Sequence, residues 1–180
     1  MEMENLELKP KVELVILVRD KNGNVLKEFK KENDPLTRWA LRFLYAKISG
    51  NNHTVKAEDG AMRTFRWDYG GNKWAYKIAI GLDPTAVSFE DFKLYAKERE
   101  TTSLTVTSYA ESDSSGQFDI KYDFLIETDK TFYEFGLFGY AWDGGTYYPF
   151  CVSRDVVTAG VSVPANSYLT VIYRVMLGTV

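Results

Sequence analysis

Residues 118–124 read Phe-Asp-Ile-Lys-Tyr-Asp-Phe, a strict alternation of apolar and charged side chains. A period of two puts Phe118, Ile120, Tyr122 and Phe124 on one side of an extended chain, and Asp119, Lys121 and Asp123 on the other. A chain that buries one side and wets the other is a strand of an antiparallel sheet lying on a core. Working outward, Leu104 to Ala110 and the turn Ser112-Asp113-Ser114-Ser115-Gly116 supply its hairpin partner. Downstream, Thr131 to Tyr140 is a strongly apolar strand ending at Asp143-Gly144-Gly145, and Tyr147 to Val157 returns. Leu169, Val171, Tyr173, Val175 and Leu177 alternate along the last strand, opposite Thr170 and Arg174.

Upstream, Val12, Leu14, Ile16 and Val18 are spaced by two within Lys11 to Asp20. Asn22-Gly23 follows, a pair suited to positive φ at both central turn positions, and Val25 to Lys30 returns. Pro35 to Ser49 then predicts a helix, with Asp34 as its cap, Pro35 in its first turn and Gly50 ending it. Leu36, Trp39, Ala40, Phe43 and Leu44 share one face, which must lie on a sheet or on another subunit. Asn51 to Gly71 is a long excursion in which the alternation of Phe65, Trp67 and Tyr69 predicts a short strand. Trp74 to Leu82 is a further strand, and Ser88 with Asp91 predicts a short capped helical turn through Tyr95. Turn signals about every ten residues predict a mostly β chain, an antiparallel β-sandwich of jelly-roll-like kind. Residues 1–180 read as one domain carrying one amphipathic helix near the N-terminus; a division near residue 100 is the alternative.

The 180 residues are 45% hydrophobic and 26% charged, the composition of a soluble domain. A chain of this length buries about 70% of its unfolded surface and needs neither disulfide nor metal. The net charge of −3 and pI of 5.3, with no basic stripe, argue against nucleic acid as a partner. Glu2, Glu4 and Glu7 interrupt the N-terminus, which lacks the apolar stretch of a secretory leader. The longest apolar run, Leu14 to Val18, is too short for a membrane span, so synthesis in the host cytoplasm is expected. Scarce Cys and Gln beside many Lys and Glu is also the bias of hot habitats.

Chemistry-bearing constellations are sparse. Cys151 and His53 are the only residues of their types, so zinc or thiol catalysis lacks partners, and Cys151 reads as a small buried apolar residue. Asp113 and Asp143-Gly144 offer oxygens to calcium, but turn formation explains both. Glu90 and Asp91 are adjacent and cannot face one substrate together, and Asp68 beside Trp67 and Tyr69 is the other carboxylate suggestive of glycoside hydrolysis. No cofactor, metal or enzymatic activity is expected. Glu134 stands in the apolar strand Phe132 to Phe138, where an unpaired carboxylate would be costly, and Arg154 on the next strand is its expected bidentate partner. Aromatic residues near turns, among them Trp67, Tyr69, Trp74, Tyr76, Trp142, Tyr147 and Tyr148, offer faces either to a glycan or to the core.

The order of features resembles small structural proteins encoded in the tail modules of bacteriophages and archaeal tailed viruses. The residues that carry the likeness run along nearly the whole chain. They are the hairpin Val12 to Phe29, the helix, Ile78-Ala79-Ile80-Gly81, Thr85-Ala86-Val87-Ser88 with Asp91, Glu134-Phe135-Gly136-Leu137, Cys151-Val152-Ser153-Arg154-Asp155, and Val163-Pro164-Ala165 to Leu177. Asn166 replaces the glycine of that last turn, and Asn is the next residue to accept positive φ. The aromatic stretch Phe65 to Tyr76 has no counterpart in the pattern. The resemblance implies a virion protein of the tail, fibre or baseplate, acting by assembly as a homo-oligomer with other virion proteins. A capsid decoration or turret protein, or a carbohydrate-binding module for host attachment, are the rival readings. The residues expected at contacts are Trp39, Phe43, Phe65, Trp67, Tyr69 and Trp74; those expected against a host glycan are Trp67, Trp142 and Tyr147.

Overall fold

The inward side chains of two antiparallel sheets meet in one hydrophobic cluster. In the computed structural model, residues 8–32, 36–111 and 115–179 are described. The larger sheet has five strands in the order β2 (Val25–Lys31), β1 (Leu8–Arg19), β11 (Ser167–Thr179), β8 (Ser115–Ile126) and β7 (Thr105–Glu111). The smaller has four, β10 (Tyr147–Val163), β9 (Lys130–Trp142), β5 (Lys73–Gly81) and β6 (Lys97–Thr101). Alternation sets both inner faces. Leu14, Ile16 and Val18 of β1, Ile120 and Phe124 of β8, and Leu169, Val171 and Tyr173 of β11 meet Ile78, Ile80, Phe135 and Leu137 of the smaller sheet.

The β1–β2 turn departs from the expected form. Only Gly23 takes positive φ, at 87°, while the Asp20 carboxylate accepts the amides of Asn22 and Asn24. The Gly23 amide donates to the Asp20 carbonyl, as in a hairpin whose glycine follows an ordinary turn, and a separate register shift between Val18 and Arg19 leaves Leu26 as an extra residue. Strand β6 is absent from the sequence reading because Lys-Glu-Arg-Glu-Thr has no apolar alternation; it is a charged edge strand. At the β10–β11 turn Asn166 does adopt positive φ, 57°.

Helix α1 spans Arg38–Ser49, starting later than the expected Pro35. Asp34 and Pro35 lie outside the described residues. Leu36 bridges Ser153 in extended conformation, and Thr37 is the cap: its hydroxyl accepts the Ala40 amide and donates to the Cys151 carbonyl at 2.5 Å. The Thr37 amide donates to Val152, so β10 dictates where the helix begins. Gly50, at φ 71°, ends it as expected. Trp39, Ala40, Phe43 and Ala46 are buried, and Phe43 stacks on Phe65 and Phe150 at 5.0 and 4.9 Å. The hairpin β3 (His53–Lys56) and β4 (Met62–Phe65) covers this side of the helix. Strand β4 stops at Phe65, so Trp67 and Tyr69 lie in the turns beyond it and not on a strand.

Of the expected helical turn at Ser88 to Tyr95 only the first turn closes, the Asp91 carboxylate accepting the Ser88 amide and the Asp91 amide donating to the Ser88 carbonyl, and no helix continues to Tyr95. Residues 82–96 run as an irregular strap across the outer face of the smaller sheet, where Leu94 packs with Ala79, Phe138 and Cys151. Gly81 and Gly136 make room for it: a Cβ at Gly81 would sit 2.6 Å from the Ala96 carbonyl, and one at Gly136 2.9 Å from Leu94.

The two sides of α1 therefore differ in what they contribute to stability. Phe43→Ala is expected to cost about 3–5 kcal/mol in urea unfolding. Ile48→Asp, on the outward side, should stay within about 0.5 kcal/mol of the parent. Equal costs would contradict this packing.

Candidate functional site

Arg154 is the largest fully buried side chain, and its guanidinium organises the outer face of the smaller sheet. Its Nε and Nη2 both lie 3.1 Å from Glu134 Oε2, and Nη1 lies 3.2 Å from Asp91 Oδ2. Nη2 also donates to the Thr85 carbonyl and Nη1 to the Ala86 carbonyl, at 3.0 and 3.4 Å. Glu134 in turn accepts the Tyr95 amide through Oε2 and the Ala96 amide through Oε1, at 2.9 and 2.6 Å. The guanidinium lies over the Tyr95 ring at 4.5 Å. Glu134 and Arg154 are thus together, but not in the expected oxygen-for-oxygen fork. One oxygen takes the arginine, and the other is needed to hold the strap. Charge and geometry make this a clamp: the acceptors of both carboxylates are used on the protein's own donors. Glu90, next to Asp91, points away to pair with Arg38 at 2.5 Å.

A second polar cluster pins the β3–β4 turn to the same face. Lys77, almost fully buried, lies 2.5 Å from Glu58 and 2.7 Å from Glu100, and Lys97 bridges the same two carboxylates at 2.9 and 2.7 Å. Burial pushes the Glu100 carboxyl up, but the hydrogen bonds from the two lysines outweigh it and leave the group below its ordinary range. Glu58, Asp59, Arg63, Lys93, Lys97 and Tyr147 line an open groove of about 480 Å³ beside it. Arg63 is matched by Asp59 and Asp143 at 2.7 and 3.4 Å, so most of the groove's charge is neutralised from within.

Tyrosines from three strands form a stacked row next to that groove. Tyr76 of β5 stacks on Tyr140 of β9 at 4.3 Å, and Tyr140 on Tyr147 of β10 at 4.7 Å and 3°. Tyr69 follows, 5.7 Å from Tyr147 and 4.6 Å from Trp142, with its hydroxyl bonded to that of Tyr147. That bond leads the causes that push the Tyr147 phenol up to about 12. Two expected glycan contacts, Trp142 and Tyr147, are therefore brought together. Trp67 is not with them: its indole lies over Gly50, and its carbonyl accepts Lys47. Tyr147 has rings of Tyr140 and Tyr69 against it, and Trp142 has Tyr69 and the Arg66 guanidinium. Stacking on a sugar needs a free ring face; Tyr140 takes one face of Tyr147, and Tyr69 crowds both Tyr147 and Trp142 at tilted angles.

The expected contact residues separate in the same way. Trp39, Phe43 and Phe65 are buried inside the chain and present nothing to a partner, a correction that follows from the packing of α1 against β4, β10 and the strap. Trp74 and Tyr69 are half-buried, and Trp67 is exposed. What the sequence reading missed is the other side of α1. Leu41, Tyr45 and Ile48 are 47%, 59% and 86% exposed, and their i, i+4, i+7 spacing makes one outward apolar row. That spacing was visible in the sequence, but the Trp39–Phe43 face competed for the same helix.

Among the described residues no group of three or more His, Cys, Asp or Glu is placed to hold a metal. Asp143 Oδ1 accepts the amides of Gly145 and Thr146, the turn role expected of it, and Asp113 lies outside the described residues. The Cys151 thiol is buried and donates to the Ser153 carbonyl, while His53 Nδ1 accepts the Thr54 amide. No helix among the described residues is long and apolar enough to cross a membrane. The chain matches no protein-family model, no curated protein and no solved structure.

Two measurements check this geometry. Arg154→Met leaves two carboxylates buried without their cation and is expected to cost about 3–5 kcal/mol, read from urea midpoints. Glu134→Gln, which keeps an acceptor, should cost less; a neutral effect of both would remove the clamp. Tyr69→Phe should bring one phenol from about 12 toward the ordinary 10.0, followed by phenolate absorbance. Because the fold favours the protonated phenol, its contribution is present below 10.0 and is lost as pH rises through about 12.

Proposed function

We propose that this chain is a virion structural subunit of the tail, fibre or baseplate kind, made in the host cytoplasm and working by docking to copies of itself and to other virion proteins. The observation that carries the reading is the outward row Leu41, Tyr45 and Ile48 on a helix whose other face is already buried. A helix apolar on both sides is an element that expects cover, and contiguous exposed apolar surface marks an interaction site. The internal satisfaction of the Arg154 and Lys77 clusters supports the same reading, since those charges are matched within the chain and rigidify the module.

To the two sheets we attach a β-sandwich packing, supported by the cluster their inner faces share. The hairpins β1–β2, β5–β6, β7–β8 and β9–β10 each remain within one sheet, which favours a plain sandwich over jelly-roll winding. A place on the capsid surface differs from this proposal only in location. Attachment through glycan stacking is less favoured, given the mutual cover of Trp142 and Tyr147.

The test is direct. Mass spectrometry of particles purified from cultures carrying the gene should find the chain at fixed stoichiometry, and light scattering should show the purified chain as an oligomer that Ile48→Asp weakens. A chain that stays monomeric at high concentration and never enters particles sinks the proposal.

A further inference from the structure

The β1–β2 turn holds a reactive pair under restraint. Asn22-Gly23 is the one asparagine–glycine step in the chain. Glycine lets the backbone nitrogen that follows an asparagine approach the side-chain amide carbon, because no Cβ stands in the way. Lys21, Asn22, Gly23 and Asn24 are all exposed, and a Cβ built at Gly23 would meet nothing within 4 Å. The Asn22 side chain makes no hydrogen bond among the described residues, so its amide carbon is open to attack.

The attacking nitrogen is not open in the same way. The Gly23 amide donates to the Asp20 carbonyl at 3.0 Å, so its proton is engaged. Asp20 Oδ1 accepts the Asn22 amide at 2.8 Å and the Asn24 amide at 2.9 Å, and Oδ2 accepts Asn24 Nδ2 at 2.9 Å. The Asp20 amide in turn donates to the Asn24 carbonyl at 3.0 Å. Asp20 therefore grips the chain on both sides of the Asn22 Cα–C bond. Rotation about that bond carries the Gly23 nitrogen onto the Asn22 side chain, and these hydrogen bonds oppose it. The Asn24 side-chain amide leads the causes that hold the Asp20 carboxyl below its ordinary range, so the grip stays charged.

We propose that Asn22 is a latent deamidation site, and that Asp20 is the positioning residue that keeps it unreacted in the folded chain. When the turn opens, the Gly23 nitrogen gives its proton to hydroxide and bonds to Asn22 Cγ. The Cγ–Nδ2 bond breaks, ammonia leaves with a proton from water, and a cyclic imide remains. One water then opens the imide at either carbonyl, giving aspartate or its isomer with the main chain running through Cγ. Nothing is oxidised or reduced, and the net charge passes from −3 to −4. The new carboxylate stands beside Asp20 and repels it; in the isomer the turn also gains a backbone atom. Either product loosens the hairpin that presents Lys31 to the buried Asp155, 2.7 Å away. Asp59-Gly60 and Asp143-Gly144 share the glycine but not the chemistry, because an ionised carboxylate resists attack and its isomerisation leaves the charge as it was. The site needs no partner, so it stands or falls apart from the assembly reading.

The experiment holds the full chain in one mildly alkaline buffer and follows Asn22 by peptide mass spectrometry, with isoelectric focusing reading the added charge. The parent, Asp20→Ser and Asp20→Ala are each compared folded and in urea, where the rate is the unrestrained reference. Among the folded chains the parent should convert slowest and Asp20→Ala about tenfold faster, the worth of two hydrogen bonds carried into a rate. Asp20→Ser, whose hydroxyl accepts a single amide, should fall between. Circular dichroism and urea midpoints establish which variants are folded; if Asp20→Ala is not, the step from the parent to Asp20→Ser decides. A parent that converts as fast folded as in urea overturns the proposal. So does a folded Asp20 variant no faster than the parent, and so does conversion found at Asn24 in place of Asn22.

Discussion

A guanidinium keeps its charge at any pH a protein meets, so a buried arginine obliges the chain to bring acceptors to every one of its N–H groups. At Arg154 those acceptors come from separate places: Glu134 on β9, and Asp91 with the carbonyls of Thr85 and Ala86 on the strap. The path of residues 82–96 follows from that demand. Once the strap lies flat, it dries the outer face of the smaller sheet over Ala79, Phe138 and Cys151. The strap also fixes the helix, because the Phe89 carbonyl accepts the Arg38 amide and the Glu90 carbonyl accepts the Trp39 indole N–H. One buried cation thus sets the angle at which α1 leaves the sheet, and with it which residues face outward.

The clamp works only because small residues flank it. Gly81 gives the Glu134 carboxylate and the Ala96 carbonyl the volume a methyl group would occupy, and Gly136 does the same for Leu94. Gly139 serves the opposite, inner side, where a Cβ would press into the Phe150 ring on which Phe43 stacks. Side-chain volume missing from β9 is filled by the strap on one side and by the helix anchor on the other. The two layers that cover the smaller sheet are therefore coupled through a single strand.

Where a period was clean, the fold could be read from sequence. The alternation in Phe118 to Phe124, Val12 to Val18 and Leu169 to Leu177 reports a one-sided environment, and each stretch is a strand of the larger sheet. Gly50 and Asn166 were legible because few residues accept positive φ. Less was legible where tertiary partners override local preference. Ser88 and Asp91 close the capped turn they encode, yet Asp91 is also held by an arginine 63 positions away, and the strap beyond the turn stays irregular. The helix start moved to Thr37 because β10 supplies carbonyl and amide partners that no local pattern encodes. Of the candidate site, the pair Glu134 and Arg154 was legible from the cost of an unpaired charge, whereas the tyrosine row was not, since its members come from separate strands. The aromatic stretch after Phe65 misled because alternation over a few residues does not distinguish a strand from consecutive turns.

The charges that line the groove are largely matched within it. In the groove beside Tyr147, Arg63 finds Asp59 and Asp143, and Lys97 finds Glu58 and Glu100, so an incoming charged ligand would have to compete with existing pairs. On α1, Arg42 and Lys47 turn to the packed flank, donating to carbonyls and lying over the Trp39 and Phe43 rings. Aromatic faces divide likewise: the tyrosine row uses its own, while Tyr45 meets only the His53 ring among the described residues and remains largely open. The uncovered apolar surface of Leu41, Tyr45 and Ile48 thus lies outside the groove whose charges are paired.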